Sequence, residues 1–414
     1  MLIHSASQLL TLTGAAQRGH ELGRLDIIPD GAVRLEGQKI LAVGPSASLK
    51  KAYPHEPELD ASGHVVMPGF VDPHTHLIWA GDRAAEFEQR LQGVAYLDIL
   101  AAGGGILSTV RATRQASLVD LLAQTRSRAH SLFMHGTTCA EAKTGYGLEI
   151  ESELRQLDAL LQLDLEGPLE LVPTFLGAHA IAPEFKGNAD GYTQLICSEM
   201  LPALLEWWRA HAADRPLPFV DVFCETGAFS LAQSRRILET AHSLGFPLKV
   251  HADEFKNLGG TSLAVELGAV SVDHLVKISS QDITALSRSS TVAVSLPCTP
   301  FGLAEPHYTP ARAIVEADGL LAIASDINPG TAWCESMQFV IALACRYLRL
   351  TPAQAIAAAT INGAAAIGLA DRLGSIEPGK QADLIILAVD DYRQLGYRFG
   401  TNLVQQVIKK GKLY

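Results

Sequence analysis

"HVVMPGFVDPHTHL", residues 64–77, decides the fold. Its first half, Val65 to Val71, is an apolar run of strand length that reads as a single buried strand. Residues i and i+2 of an extended chain face the same way, so His74 and His76 stand side by side just past that strand's carboxyl end. Neutral imidazoles are good ligands for a divalent transition metal. The pair alone fits two locally bonded loop histidines equally well. Its meaning depends on what the rest of the chain brings to the same place.

Seven further short apolar runs follow: "TTCAEAK" (137–143), "LELVPTFLGAH" (169–179), "FVDVFCE" (219–225), "PLKVHADE" (247–254), "VSVDHL" (270–275), "TVAVSLP" (291–297) and "LLAIASD" (320–326). Amphipathic stretches such as "SLVDLLAQTRSRAHSLFMHG" and "LAQSRRILETAHSLG" lie between them. Eight strand–helix alternations predict an α/β fold, a (β/α)8 TIM-like barrel. In "TPAQAIAAAT", Thr351, Pro352 and Gln354 mark the start of a closing helix by a capping box with proline at its first position. A doubly wound sheet would place a glycine-rich phosphate turn after its first strand, where this chain has His74 and His76. The glycines of "AAGGGI" (101–106) are too far from a strand end to serve as that turn. The two ends of the chain are instead rich in short β-like runs broken by Gly and Asp. They are expected to pair as one small β-sandwich domain, residues 1–64 with 368–414, leaving 65–367 for the barrel.

Barrel chemistry gathers where the strands end. His74 and His76 end the first strand and His179 the third. His251 lies on the fifth with Glu254 three residues on, His274 ends the sixth, and Asp326 ends the eighth. Only 14 of the 414 residues are histidine, so delivery of such groups by five of eight strands to one rim points to a site. His74, His76, His251 and Asp326 would supply three imidazoles and one carboxylate. That set suits one divalent metal, Zn2+ or Fe, which activates water.

The bulk numbers exclude other classes. No basic block stands out among 33 basic and 44 acidic side chains, and the net charge of −11 argues against nucleic acid. No apolar run is long enough for a membrane span. The N-terminus lacks the pattern of a secretory signal, and six scattered cysteines without a CxxC fit reduced thiols, so a cytoplasmic protein is expected. An anionic substrate would need a local cation.

"PGFVDPHTHL", "VHADE", "VDHL", "ASDINPGT" and the terminal "GSIEPGKQADLIIL" together resemble the amidohydrolase superfamily. The finer motifs "HLIWAGDRAAEF", "GGGI", "EAKTGYGL", "TFLGAHA" and "DINPGT" are similar, along essentially the whole chain, to its branch that opens an imidazolone ring bearing a propionate. The resemblance implies hydrolysis of 4-imidazolone-5-propanoate to N-formimino-L-glutamate. It implies His74, His76, His251 and Asp326 as metal ligands, and Arg83 as the cation that holds the propionate bidentately. Tyr146, His179, Glu254, Asn328, Gly330 and Thr331 are implied as further substrate contacts. A homodimer is also implied. The usual bridge between two metals in such barrels is a modified lysine on strand 4. "FVDVFCE" has none, so one metal is expected.

Three residues are candidates to take the proton of the attacking water: Glu254, His274 and Asp326. The reading favours His274 for that task, with Glu254 bonded to a ring nitrogen. A mononuclear aminohydrolase that deaminates a purine or pyrimidine is the alternative enzyme. Its mostly neutral substrates would leave Arg83 without a carboxylate. A barrel that had lost its chemistry is the non-enzymatic alternative, and it should lack some of the ligands.

Overall fold

The computed structural model describes residues 1–94 and 103–414. Ala101 and Ala102 of the glycine-rich run lie outside the described residues.

Five strands open the chain: β1 (Leu2–Leu10), β2 (Ile27–Glu36), β3 (Lys39–Pro45), β4 (Glu58–Asp60) and β5 (Val65–Pro68). Eight more follow: β6 (Phe70–Asp72), β7 (Thr137–Lys143), β8 (Glu170–Ala178), β9 (Phe219–Cys224), β10 (Lys249–Ala252), β11 (Ser271–His274), β12 (Val292–Ser295) and β13 (Leu321–Ile323). The last three are β14 (Leu384–Leu387), β15 (Val404–Lys409) and β16 (Lys412–Leu413). Strands β6 to β13 pair in chain order, every pair parallel, which is the (β/α)8 arrangement. The other eight come from both ends of the chain and form a separate mixed sheet. It encloses its own apolar cluster, including Ile3, Leu9, Val33, Val66, Leu384 and Ile408, as a small sandwich.

The stretch at 64–72 departs from the expectation of one strand. Val65–Pro68 lies antiparallel to β14 in the terminal sheet, while Phe70–Asp72 lies parallel to β7 in the barrel. The chain changes sheets at Gly69, four residues beyond the expected join at 64/65. A side chain there is excluded, because a Cβ on Gly69 would fall 2.3 Å from Thr138 Cγ2. Both halves are apolar because both are covered, so the run looks continuous in sequence.

Local signals build the surrounding helices. Ser117 caps Leu118–Met134 with Asp120, Ser230 caps Leu231–Ser243 with Gln233, and Thr351 caps Pro352–Ala358 with Gln354, all as complete capping boxes.

The seam between β6 and β13 is closed beyond the strands themselves. His76 N–H donates to Ile327 O at 2.9 Å, and Asp326 N–H donates to His74 O at 3.1 Å. The Asp72 carboxylate accepts from the backbone N–H and the hydroxyl of Ser325. Closing the barrel therefore brings residues 74, 76 and 326 together.

Candidate metal centre and active site

His74, His76, His251, His274 and Asp326 are all buried at the carboxyl ends of the strands. His74 Nε2 lies 3.3 Å from Asp326 Oδ1, His76 Nε2 lies 3.5 Å from the same oxygen, and His76 Nε2 lies 3.3 Å from His251 Nε2. Four donors at 2.0–2.1 Å from one ion in a tetrahedron have edges of about 3.4 Å. His74 Nε2 and Asp326 Oδ1 are buried and have no hydrogen-bond partner. Buried polar atoms are normally satisfied, so these two mark donors held for a cation. The donor set fits a divalent metal.

Three of the four candidate ligands have a polar group behind them, while His76 Nδ1 is buried without a partner. Asp273 Oδ2 accepts from His74 Nδ1 at 2.7 Å, which leaves Nε2 as the free lone pair. Asp221 Oδ2 lies 2.9 Å from His251 Nδ1, off the line of an ideal hydrogen bond. The Thr299 hydroxyl donates to Asp326 Oδ2 and so leaves Oδ1 toward the histidines. Burial, then the charge of Lys143, pushes His74 well below the usual imidazole range, and burial, then His179, does the same to His76. Both shifts favour the neutral ring, the form that ligation requires. Burial also raises the Asp326 carboxyl to about 6, against the pull of Thr299.

His274 and Glu254 flank the centre. Their nearest atoms, Nδ1 and Oε2, are 3.7 Å apart, beyond a hydrogen bond. Burial, then His251, holds His274 well below its ordinary range. Burial, then the carboxylates of Asp326 and Glu225, holds Glu254 well above its own. Both shifts favour the neutral form, an imidazole able to take a proton and a carboxyl able to give one. His274 has φ +80° and Asp326 φ +52°, a conformation costly for residues with a side chain and one that clusters at functional sites. A cavity of about 230 Å³ reaches Glu254, His274 and Thr299 from the surface.

His179 stacks on His76, ring centroids 4.8 Å apart and planes 15° apart, with its Nδ1 3.1 Å from Gly145 O. Burial, then His251, lowers it to about 3. Since that carbonyl can only accept, Nδ1 carries the proton. Tyr146 is buried 5.3 Å from the His179 ring, centroid to centroid. Arg83 Nε donates to Glu86 Oε2 at 2.9 Å, and Glu86 in turn takes the Gly105 N–H of the "GGGI" motif. A Cβ on Gly330 would fall 2.4 Å from Arg83 Nη1, so this glycine makes room for the guanidinium. Asn328 Oδ1 accepts from Gly330 N–H, Thr331 N–H and the Thr331 hydroxyl, and its Nδ2 donates to Asp326 O. These three residues are tied mainly to one another as a turn beside the ligand.

Sequence reasoning missed the groups behind the ligands: Asp221, Asp273, Thr299, Lys143 and Arg128. Arg128 donates to the carbonyls of Leu77 and Trp79 and sits 3.6 Å from the Trp79 ring, fixing the segment that follows the histidine pair. A signal for some of them exists. Glu141 and Lys143, Lys249 and His251, and Ser271 and Asp273 are i,i+2 pairs on apolar strands, where alternation turns each pair to one face.

The parallel barrel, the terminal sheet and a buried three-imidazole, one-carboxylate centre together define a metal-dependent hydrolase of the amidohydrolase class. The profile described as amidohydrolase family matches residues 225–414. The chain is 51% identical over 412 residues to the imidazolonepropionase of Herpetosiphon aurantiacus, covering 100% of this chain and 96% of the relative. It is 50% identical to that of Chloroflexus aggregans, covering 100% and 98%. The chain belongs to the imidazolonepropionase family. Among solved structures, a zinc-bound adenosine deaminase from Xanthomonas campestris superposes with a TM-score of 0.69 at 21% identity, covering 100% of this chain and 92% of that one. Guanine deaminase from E. coli gives 0.70 at 16%, covering 100% and 98%. At such identities the likeness is one of fold.

Proposed function

We infer that this chain opens the ring of 4-imidazolone-5-propanoate with water, giving N-formimino-L-glutamate in histidine degradation. The observation that carries the reading is the gathering of buried donors at one rim: donor atoms of His74, His76 and Asp326 lie close enough together to share an ion, His76 Nε2 is 3.3 Å from His251 Nε2, and His74 Nε2 and Asp326 Oδ1 have no partner. His74, His76, His251 and Asp326 hold the ion, zinc or iron. When bound, a divalent ion there polarises the ring carbonyl and acidifies water. A single ion is favoured because β9 carries no lysine and Lys143 is engaged by Glu141 and Asp221.

The chain's own groups supply the rest. The neutral His274 takes a proton from the attacking water. As the carbonyl carbon–nitrogen bond breaks, the protonated Glu254 gives its proton to the departing ring nitrogen, and the carbonyl carbon becomes a carboxylate. Arg83 pairs with the propionate, and Tyr146, beside His179, closes that end of the pocket. The Asn328–Thr331 turn shapes the wall next to Asp326. Anion recognition separates this reading from deamination of a neutral base. Arg83→Met is expected to lower kcat/KM for imidazolone propanoate by about 100-fold, followed by the ultraviolet absorbance of freshly made substrate. An unchanged value would overturn the role of Arg83 and reopen the deaminase alternative.

The family resemblance supports a homodimer, testable by sedimentation. Six free cysteines support a cytoplasmic location. Among the described residues no helix is long and apolar enough to cross a membrane.

A further inference from the structure

Lys143 ends β7 with no solvent exposure, directly beneath the ligand histidines. A buried ammonium is costly unless it is matched by well-placed acceptors. Here Nζ donates to Glu141 Oε1 at 2.6 Å and to Asp221 Oδ2 at 2.8 Å, and lies 3.7 Å from Asp273 Oδ2. The two aspartate oxygens are the ones that face ligand imidazoles. Asp221 Oδ2 is 2.9 Å from His251 Nδ1, and Asp273 Oδ2 accepts from His74 Nδ1 at 2.7 Å. The three carboxylates come from β7, β9 and β11, and two of the imidazoles from β10 and the segment after β6, so one side chain links four strands and that segment at this level.

We propose that Lys143 is a positioning residue for the metal centre: by donating to Asp221 and placing its charge 3.7 Å from Asp273, it sets the orientation of the His251 and His74 rings. The proposal rests on the ligand assignment above. Without the ammonium, three buried carboxylates, Glu141, Asp221 and Asp273, share one remaining ammonium, Lys249, 3.7 Å from Glu141 Oε1. Their mutual repulsion turns Asp221 and Asp273 away from the ring N–H groups, and the Nε2 atoms lose their common aim. Asp221 Oδ1 keeps its backbone donors from Val222 and His251. The disturbance therefore falls on Oδ2, the oxygen that faces the ring. Lys249, the other ammonium of this layer, lies 3.7 Å from Glu141 Oε1 and shares in balancing the charge, but it donates to the carbonyls of Pro73 and Ala366 and makes no hydrogen bond to Asp221 or Asp273, so it does not hold their oxygens.

The test is zinc affinity of the full-length chain, stripped and reloaded, measured by competition with a chromophoric chelator. Lys143→Gln is expected to weaken zinc binding by about 10- to 100-fold, the range for groups that support ligands. In a cycle with Asp273→Asn, the double variant is expected to lose less than the product of the two single losses, because both act through the same carboxylate. Zinc binding within twofold of wild type in Lys143→Gln, or losses that multiply, would overturn the proposal. If Lys143→Gln does not fold, the charge-balanced pair Glu141→Gln/Lys143→Gln is compared with Glu141→Gln alone. A further loss of about 10-fold supports the role and parity refutes it. A wild-type chain that binds no zinc would instead remove the ligand assignment.

Discussion

The two ends of the barrel each bury a cluster of charge, and they differ in what is left over. At the end where β8 begins, Glu170 accepts from Arg372 through one oxygen and from Lys409 and Gln381 through the other, at 2.5, 2.8 and 3.0 Å. Asp383 takes Lys409 and Gln381 on one oxygen and the Lys410 N–H on its other. The carboxylate oxygens of both residues are satisfied, and the cluster ties the terminal sheet to the barrel. At the opposite end the charges are more deeply buried, yet His74 Nε2 and Asp326 Oδ1 have no partner. A cluster whose valences are spent can stabilise and do nothing more. A cluster with unspent valences can bind.

Breaking each end should separate the two roles. The largest effect is expected from His251→Ala, which removes one ligand. Activity should fall on the order of 10³-fold or more and metal content should drop, while the metal-free protein melts close to metal-free wild type. Emission spectrometry and differential scanning fluorimetry read both. Lys409→Met should do the opposite, because it leaves Glu170 and Asp383 buried without their shared cation. A loss of about 3 kcal/mol in urea unfolding is expected, with kcat nearly unchanged. A smaller effect sharpens the contrast. Despite burial, Lys409 and Arg372 hold Glu170 well below its ordinary value of 4.5. A carboxylate depressed by folding stabilises above its unfolded pKa and loses that contribution as pH falls toward its folded one. The stability gap between wild type and Lys409→Met should therefore narrow between pH 5 and pH 3, followed by urea midpoints. A constant gap would exclude Glu170 as the cause.

What was legible in the sequence follows from the same division. The proposed ligands sit at strand ends, where a local rule picks them out: an apolar run, then a histidine or aspartate. Their supports come from neighbouring strands many residues away, and only register decides who meets whom. His251 pairs in register with Asp273 across β10 and β11, yet Asp273 holds His74, and His251 turns to Asp221 on β9. No spacing in the chain encodes that exchange. The hand-over at Gly69 was hidden for a different reason. Burial in two different cores leaves one uninterrupted apolar pattern, and the glycine alone marks the crossing. The Asn328–Thr331 turn reads as a set of substrate contacts, whereas much of its hydrogen bonding is turned inward.

The central claim is that four side chains from three distant parts of the chain share one cation. Anomalous diffraction from crystals of the purified protein, recorded at the zinc and iron edges, tests it most directly. The account predicts one strong peak within about 2.3 Å of His74 Nε2, His76 Nε2, His251 Nε2 and a carboxylate oxygen of Asp326. A map without a peak there after loading with either metal, or one whose only peak lies elsewhere, would contradict it.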